Sequence, residues 1–154
     1  MSDNTAETRI QIVRAILDNI GFDIELAEFV EALSPYFGTV YTVDPQRRHL
    51  ICDDNLAESV ARDMGITEAL VGERLAQCID SQLFIQTAEP GVYEVAKWLD
   101  WLYSDRSHKA EIITKFTIGI MELHFYDDND NVVYIEGFVM DDSKVPFQNT
   151  PEVY

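Results

Sequence analysis

Groups able to do chemistry are sparse in this chain, and most of them are carboxylates. His49, His108 and His124 are its only histidines, and Cys52 and Cys78 its only cysteines. His49 stands close enough to Cys52 to form half of a metal site, but no second closely spaced ligand pair completes it. Two cysteines, each inside an apolar run, make no disulfide framework and read as buried reduced thiols. The stretch DDNDN alternates Asp127, Asn129 and Asn131 like the start of a calcium loop. Such a loop needs glycine where Val132 stands and glutamate where Phe138 stands, so a hairpin turn is expected instead. Asp53-Asp54 and Asp141-Asp142 read as solvated caps or strand ends. There is no glycine-rich phosphate loop and no serine nucleophile elbow. His124 and Tyr126 share a strand-like run without a third group to complete a catalytic set. No enzymatic activity, metal or cofactor is expected.

The elements that would position these groups are legible as periodic apolar runs. Ile10, Val13, Ile16, Leu17 and Ile20 have helical spacing, and Gly21 follows as a stop. Asp23 can cap a second helix whose Ile24, Ala27, Val30 and Leu33 share a face, with Pro35 and Gly38 ending it. GTVYTV and HLIC read as short strands around the turn DPQRR, a candidate hairpin. A helix opened by Asp54 or Asn55 closes at Gly65, and Thr67 caps the next one. LFIQ and VYEV flank TAEPG as a further hairpin, and AKWLDWLYSDR returns to helical spacing.

After residue 105 the character changes. ITKFTIGIMELHFY and NVVYIEGFVM read as two long strands joined by DDNDN. In the first, Phe116, Ile118 and Ile120 would face one way and Met121, Leu123 and Phe125 the other. A strand apolar on both sides needs a cover on both: one would be the N-terminal domain, the other a partner or a second copy, a hint of association through this hairpin. The tail VPFQNTPEVY has no period.

The stretch VARDMGITEALVGERL, Val60 to Leu75, carries a motif. Val60 and Ala61 suit tight helix–helix packing, Gly65 suits a left-handed turn, and Ile66, Val71 and Leu75 suit the buried positions that follow. It resembles the helix-turn-helix of bacterial regulators. With LAQCIDSQLFIQTAEPGVYEV after it, residues 5–105 are similar to a winged-helix domain. More loosely they resemble the N-terminal domains of phage replisome organisers. The resemblance implies an α+β chain: a winged-helix-like domain over 1–105, then a β-hairpin appendage and irregular tail over 106–154. It also implies that Thr67, Glu68, Ala69, Gly72 and Glu73 face outward, where DNA readers carry Arg, Lys, Asn, Gln or Ser.

Charge conflicts with that use. The chain holds 28 acids against 11 bases, a formal net of −17, spread along its length. From Glu58 to Asp80 only Arg62 and Arg74 offset five acids, and the wing tip carries Glu89. Duplex affinity depends on cations that release counterions, and Arg47-Arg48 is the only paired set in the domain. The expectation is therefore an acidic protein-binding module with a basic partner, such as a nucleic-acid-binding enzyme. In size and charge alone it is similar to the acidic nucleic-acid mimics among phage and plasmid anti-CRISPR and anti-restriction inhibitors. Asp53, Asp54, Glu58, Glu68, Glu73, Asp127, Asp128 and Asp130 are the candidate phosphate-like charges, and Trp98 and Trp101 candidate anchors. Two alternatives stand beside it. A DNA-binding regulator or replication protein would need Arg47, Arg48, Arg62 and Arg74 to converge, and a structural subunit would form a stable complex. No apolar run reaches the ~18 residues of a membrane span, and MSDNTAETR does not read as a signal peptide. A cytoplasmic protein is expected.

Overall fold

The computed structural model describes residues 5–37, 41–44, 49–51, 54–88, 92–104 and 106–140. The chain is α+β and forms two compact units, Met1–Ile24 with Ser104–Tyr154, and Glu25–Tyr103. The first helix, counted with the N-terminal domain in the sequence reading, thus lies in the same unit as the C-terminal strands. No helix among the described residues is long and apolar enough to cross a membrane.

In the Glu25–Tyr103 unit, α2 (Leu26–Leu33) runs into a 3₁₀ turn at Ser34–Tyr36, where Pro35 ends the α-helical pattern. Asp23 does not cap this helix. Glu25 precedes it in helical conformation without a side-chain cap bond, and Ile24 lies exposed outside the helix. The strands β1 (Tyr41–Asp44) and β2 (His49–Ile51) pair antiparallel, as the composition around DPQRR suggests. Next come α3 (Asp54–Met64) and α4 (Glu68–Asp80). Strands β3 (Phe84–Gln86) and β4 (Val92–Val95) form the second hairpin, and α5 (Lys97–Leu102) follows. Because β1 also pairs with β4, the sheet order is β2-β1-β4-β3.

Local signals place the α3–α4 pair. Gly65 adopts φ 68°, which a residue with a Cβ resists, and its amide donates to Arg62 O while Ile66 N donates to Ala61 O. Thr67 Oγ1 then accepts from Leu70 N at 3.1 Å and opens α4. Val60 and Ala61 of α3 are buried, as are Val71, Leu75 and Cys78 of α4. Leu26, Phe29, Val30, Leu33, Phe84 and Leu99 belong to the same unit's core.

In the other unit, α1 (Ala6–Ile20) starts at Thr5, whose Oγ1 accepts from Thr8 N, and stops at Gly21 with φ 80°. Three strands, β5 (Lys109–Lys115), β6 (Ile120–Tyr126) and β7 (Val132–Val139), make an antiparallel sheet in sequence order. The expected single long strand before DDNDN is thereby corrected. A 3₁₀ turn at Phe116–Ile118 and Gly119 at φ 66° break it into β5 and β6, so a three-stranded meander replaces the long hairpin. Ile118 is consequently 62% exposed rather than in line with Ile120. Along β6, Met121, Leu123 and Phe125 are buried, while Ile120, Glu122, His124 and Tyr126 are only half-covered.

Candidate functional site

The outward face of α4 is the strongest candidate. Burying Val71, Leu75 and Cys78 turns the opposite arc of the helix to solvent. On that arc Glu68 and Glu73 flank Ala69 and Gly72, and Thr67, Glu68, Ala69 and Glu73 are all exposed. A Cβ placed on Gly72 would meet nothing within 4 Å. A glycine inside a helix costs about 1 kcal/mol relative to alanine, and here no internal packing requires it. Its retention leaves a shallow, side-chain-free spot between two carboxylates, open to a partner's backbone or side chain.

Neighbouring acids extend the negative surface. Glu58 and Asp63 of α3 are exposed, and so is Asp80 at the end of α4. Asp54 opens α3, whereas Asp53 lies outside the described residues. Cations offset them weakly. Arg62 is exposed on α3, and Arg74 is half-buried, with its guanidinium 3.7 Å from Glu25. Arg47, Arg48 and Glu89 lie outside the described residues.

The remaining candidate acids sit elsewhere. Asp127, Asp128 and Asp130 belong to the β6–β7 loop, in the other compact unit. That loop is built as a turn. Asp127 accepts from Asn129 N at 2.8 Å and Asn131 N at 2.9 Å, and its own amide donates to Asn131 O. These bonds to the carboxylate, chiefly from Asn131, hold it below the usual carboxylate range. Asp130 takes the left-handed conformation, φ 62°, that closes the turn. Asp128 and Asp130 reach back to His108 and Lys109, each at 3.6 Å. The loop's acids therefore have local tasks.

Of the two tryptophans, Trp98 is 5% exposed and lines the core, while Trp101 is half-buried and reaches the surface. Cys78 is fully buried, and desolvation pushes its thiol far above the ordinary range. His49 lies in β2 and Cys52 outside the described residues, as do Asp141 and Asp142. No group of three or more His, Cys, Asp or Glu among the described residues could hold a metal ion.

One cluster escapes a reading by motif. Glu122 accepts from His124 Nε2 at 2.8 Å and lies 3.0 Å from Lys115 Nζ on one face of the β5–β6 pair. The hydrogen bonds from His124 and then Lys115 hold its carboxyl below the usual range. Period-two alternation puts Glu122 and His124 on a shared face, but Lys115 joins only because Gly119 reverses the chain.

No family model matches this chain, and no curated protein or solved structure matches it either.

Proposed function

We propose that residues 25–103 form a winged-helix frame that binds a basic protein rather than duplex DNA. The element order supports the frame: a helix, a hairpin, two helices joined by a tight glycine turn, and a second hairpin that adds its β4 to β1. A winged helix hosts several functions, so the surface has to decide between them.

The observation that carries the reading is the pair Glu68 and Glu73, exposed on the face where a DNA reader needs cations. Against phosphate these carboxylates repel, and they supply none of the cationic contacts whose counterion release drives duplex binding. Against a basic groove they act as phosphate-like charges, steering encounter and suppressing wrong partners. Gly72 lets the partner approach closely between them. Glu58 and Asp63 extend the attraction, and Trp101 is an aromatic group that reaches this unit's surface. Such a module would act as an inhibitor, or as a subunit, of a nucleic-acid-binding protein.

The test uses a fluorescein-labelled arginine-rich peptide as the basic probe. Titration with the full chain should show binding that weakens as salt rises. Glu68→Lys with Glu73→Lys should weaken it several-fold more than Glu7→Lys with Glu111→Lys, an equally large charge change at exposed sites in the other unit. Equal losses from the two pairs would mean that overall charge, not the α4 face, does the binding.

A further inference from the structure

The two edges of the three-stranded sheet are treated differently. On β5 the charged side chains Lys109, Glu111 and Lys115 occupy alternate positions, the usual way to keep a free edge from recruiting another strand. On β7 the alternate positions Val133, Ile135, Gly137 and Val139 carry no charge at all.

Among the described residues, the backbone of β7 is open on that side as well. Met140 N donates to Gly119 O at 2.8 Å, and antiparallel ladders alternate between bonded and non-bonded pairs. Along the register, Met121–Phe138, Leu123–Glu136 and Phe125–Tyr134 therefore exchange bonds with β6, and Ile135, Gly137 and Val139 turn their backbone groups outward. Asn19 Nδ2 occupies Val139 O at 3.2 Å, and a bulge near Val132 marks the other end. Ile135 and Gly137 lie between, with no further hydrogen bond among the described residues. Ile135 is 46% exposed, and a Cβ on Gly137 would meet nothing within 4 Å.

We propose that β7 pairs antiparallel with β7 of a second copy of this chain, about a two-fold axis at Ile135. Two three-stranded sheets then become one of six strands, the self-complementary arrangement of a two-fold dimer. Charge selects this occupant. The acids that would attract a basic partner are missing from the outward positions of β7, whereas an identical strand brings the same uncharged side chains. Charge also sets the axis. At Ile135, Glu136 of each copy stands opposite Tyr134 of the other, whose hydroxyl already donates to Glu136 of its own chain, so no two carboxylates are directly opposed. An axis at Glu136 would set two carboxylates directly opposite, which destabilises a strand pair.

This association is independent of the α4 face and carries the opposite salt signature. Two chains of formal charge −17 repel, so dimerisation strengthens as salt screens them, while binding to a basic partner weakens. Sedimentation velocity of the full chain, over a concentration series at low and high salt, tests it. The expected result is a reversible dimer whose population rises with salt. Ile135→Glu and Ile135→Lys should each raise the dissociation constant about tenfold, because like charges then meet across the axis. Mixing the two variants should restore the dimer, which also shows that both are folded. A wild type that stays monomeric, a dimer indifferent to Ile135→Glu, or mixed variants that stay apart would overturn the proposal.

Discussion

The two compact units use the same composition in opposite ways. Glu25–Tyr103 buries the apolar side of its helices and leaves carboxylates on the outward arc of α4. The unit of α1 and the C-terminal strands keeps its charges in local pairs, Glu122 with Lys115 and His124, Asp130 with Lys109, and leaves an uncharged strand edge instead. An acidic chain need not be uniformly acidic in its contacts. On the proposed readings, one unit offers charge to a partner and the other offers backbone and aliphatic surface.

Variants that sharpen this contrast span a range of size. Phe125→Ala should be the most damaging, about 3–5 kcal/mol, because a fully buried ring in the sheet unit leaves a cavity. Leu75→Ala, buried in the other unit, should cost about 2–5 kcal/mol. Following each by tryptophan fluorescence, whose two reporters both lie in Glu25–Tyr103, shows whether the units melt together. A Phe125→Ala transition seen by circular dichroism but not by fluorescence would mean that they do not.

Thr67→Ala removes the cap of α4 and should cost about 1 kcal/mol in a denaturant titration. Gly72→Ala should have the reverse sign, stabilising by about 0.5–1 kcal/mol while weakening binding to the arginine-rich peptide. Stabilisation with unchanged binding would leave that glycine without a role at the interface.

The smallest effect concerns the β6–β7 turn. The carboxyl of Asp127 is held below its ordinary range, so its contribution to folding is complete above the unfolded carboxylate range. That contribution is lost as pH falls through the lower folded value. Asp127→Ala should therefore lower stability slightly at neutral pH and flatten the acid limb of a stability–pH profile. An unchanged acid limb would show that the turn does not depend on that charge.

What the sequence makes legible follows the range of the signals. Caps and stops act over a few residues, so Thr67, Gly65, Gly21 and the DDNDN turn could be read from neighbours alone. The exposed arc of α4 followed from helical period once Val71 and Leu75 were assigned inward. Longer-range facts were not readable. Gly119 looked like one glycine inside a strand, and only its left-handed backbone and the pairing of β5 with β6 reveal a reversal. Asp23 had the chemistry of a cap, but the helix begins after Glu25. The grouping of α1 with strands a hundred residues away rests on packing such as that of Asn19 against Val139, which leaves no local trace.

Whether the α4 face takes a basic protein and not DNA can be tested in one competition experiment. A labelled random duplex is first saturated with the arginine-rich peptide, and the full chain is then added at fixed salt. Anisotropy should fall to that of free DNA, and Glu68→Lys with Glu73→Lys should need several-fold more protein for the same fall. A rise in anisotropy would mean that the chain joins the duplex, and its surface would then be that of a DNA binder after all.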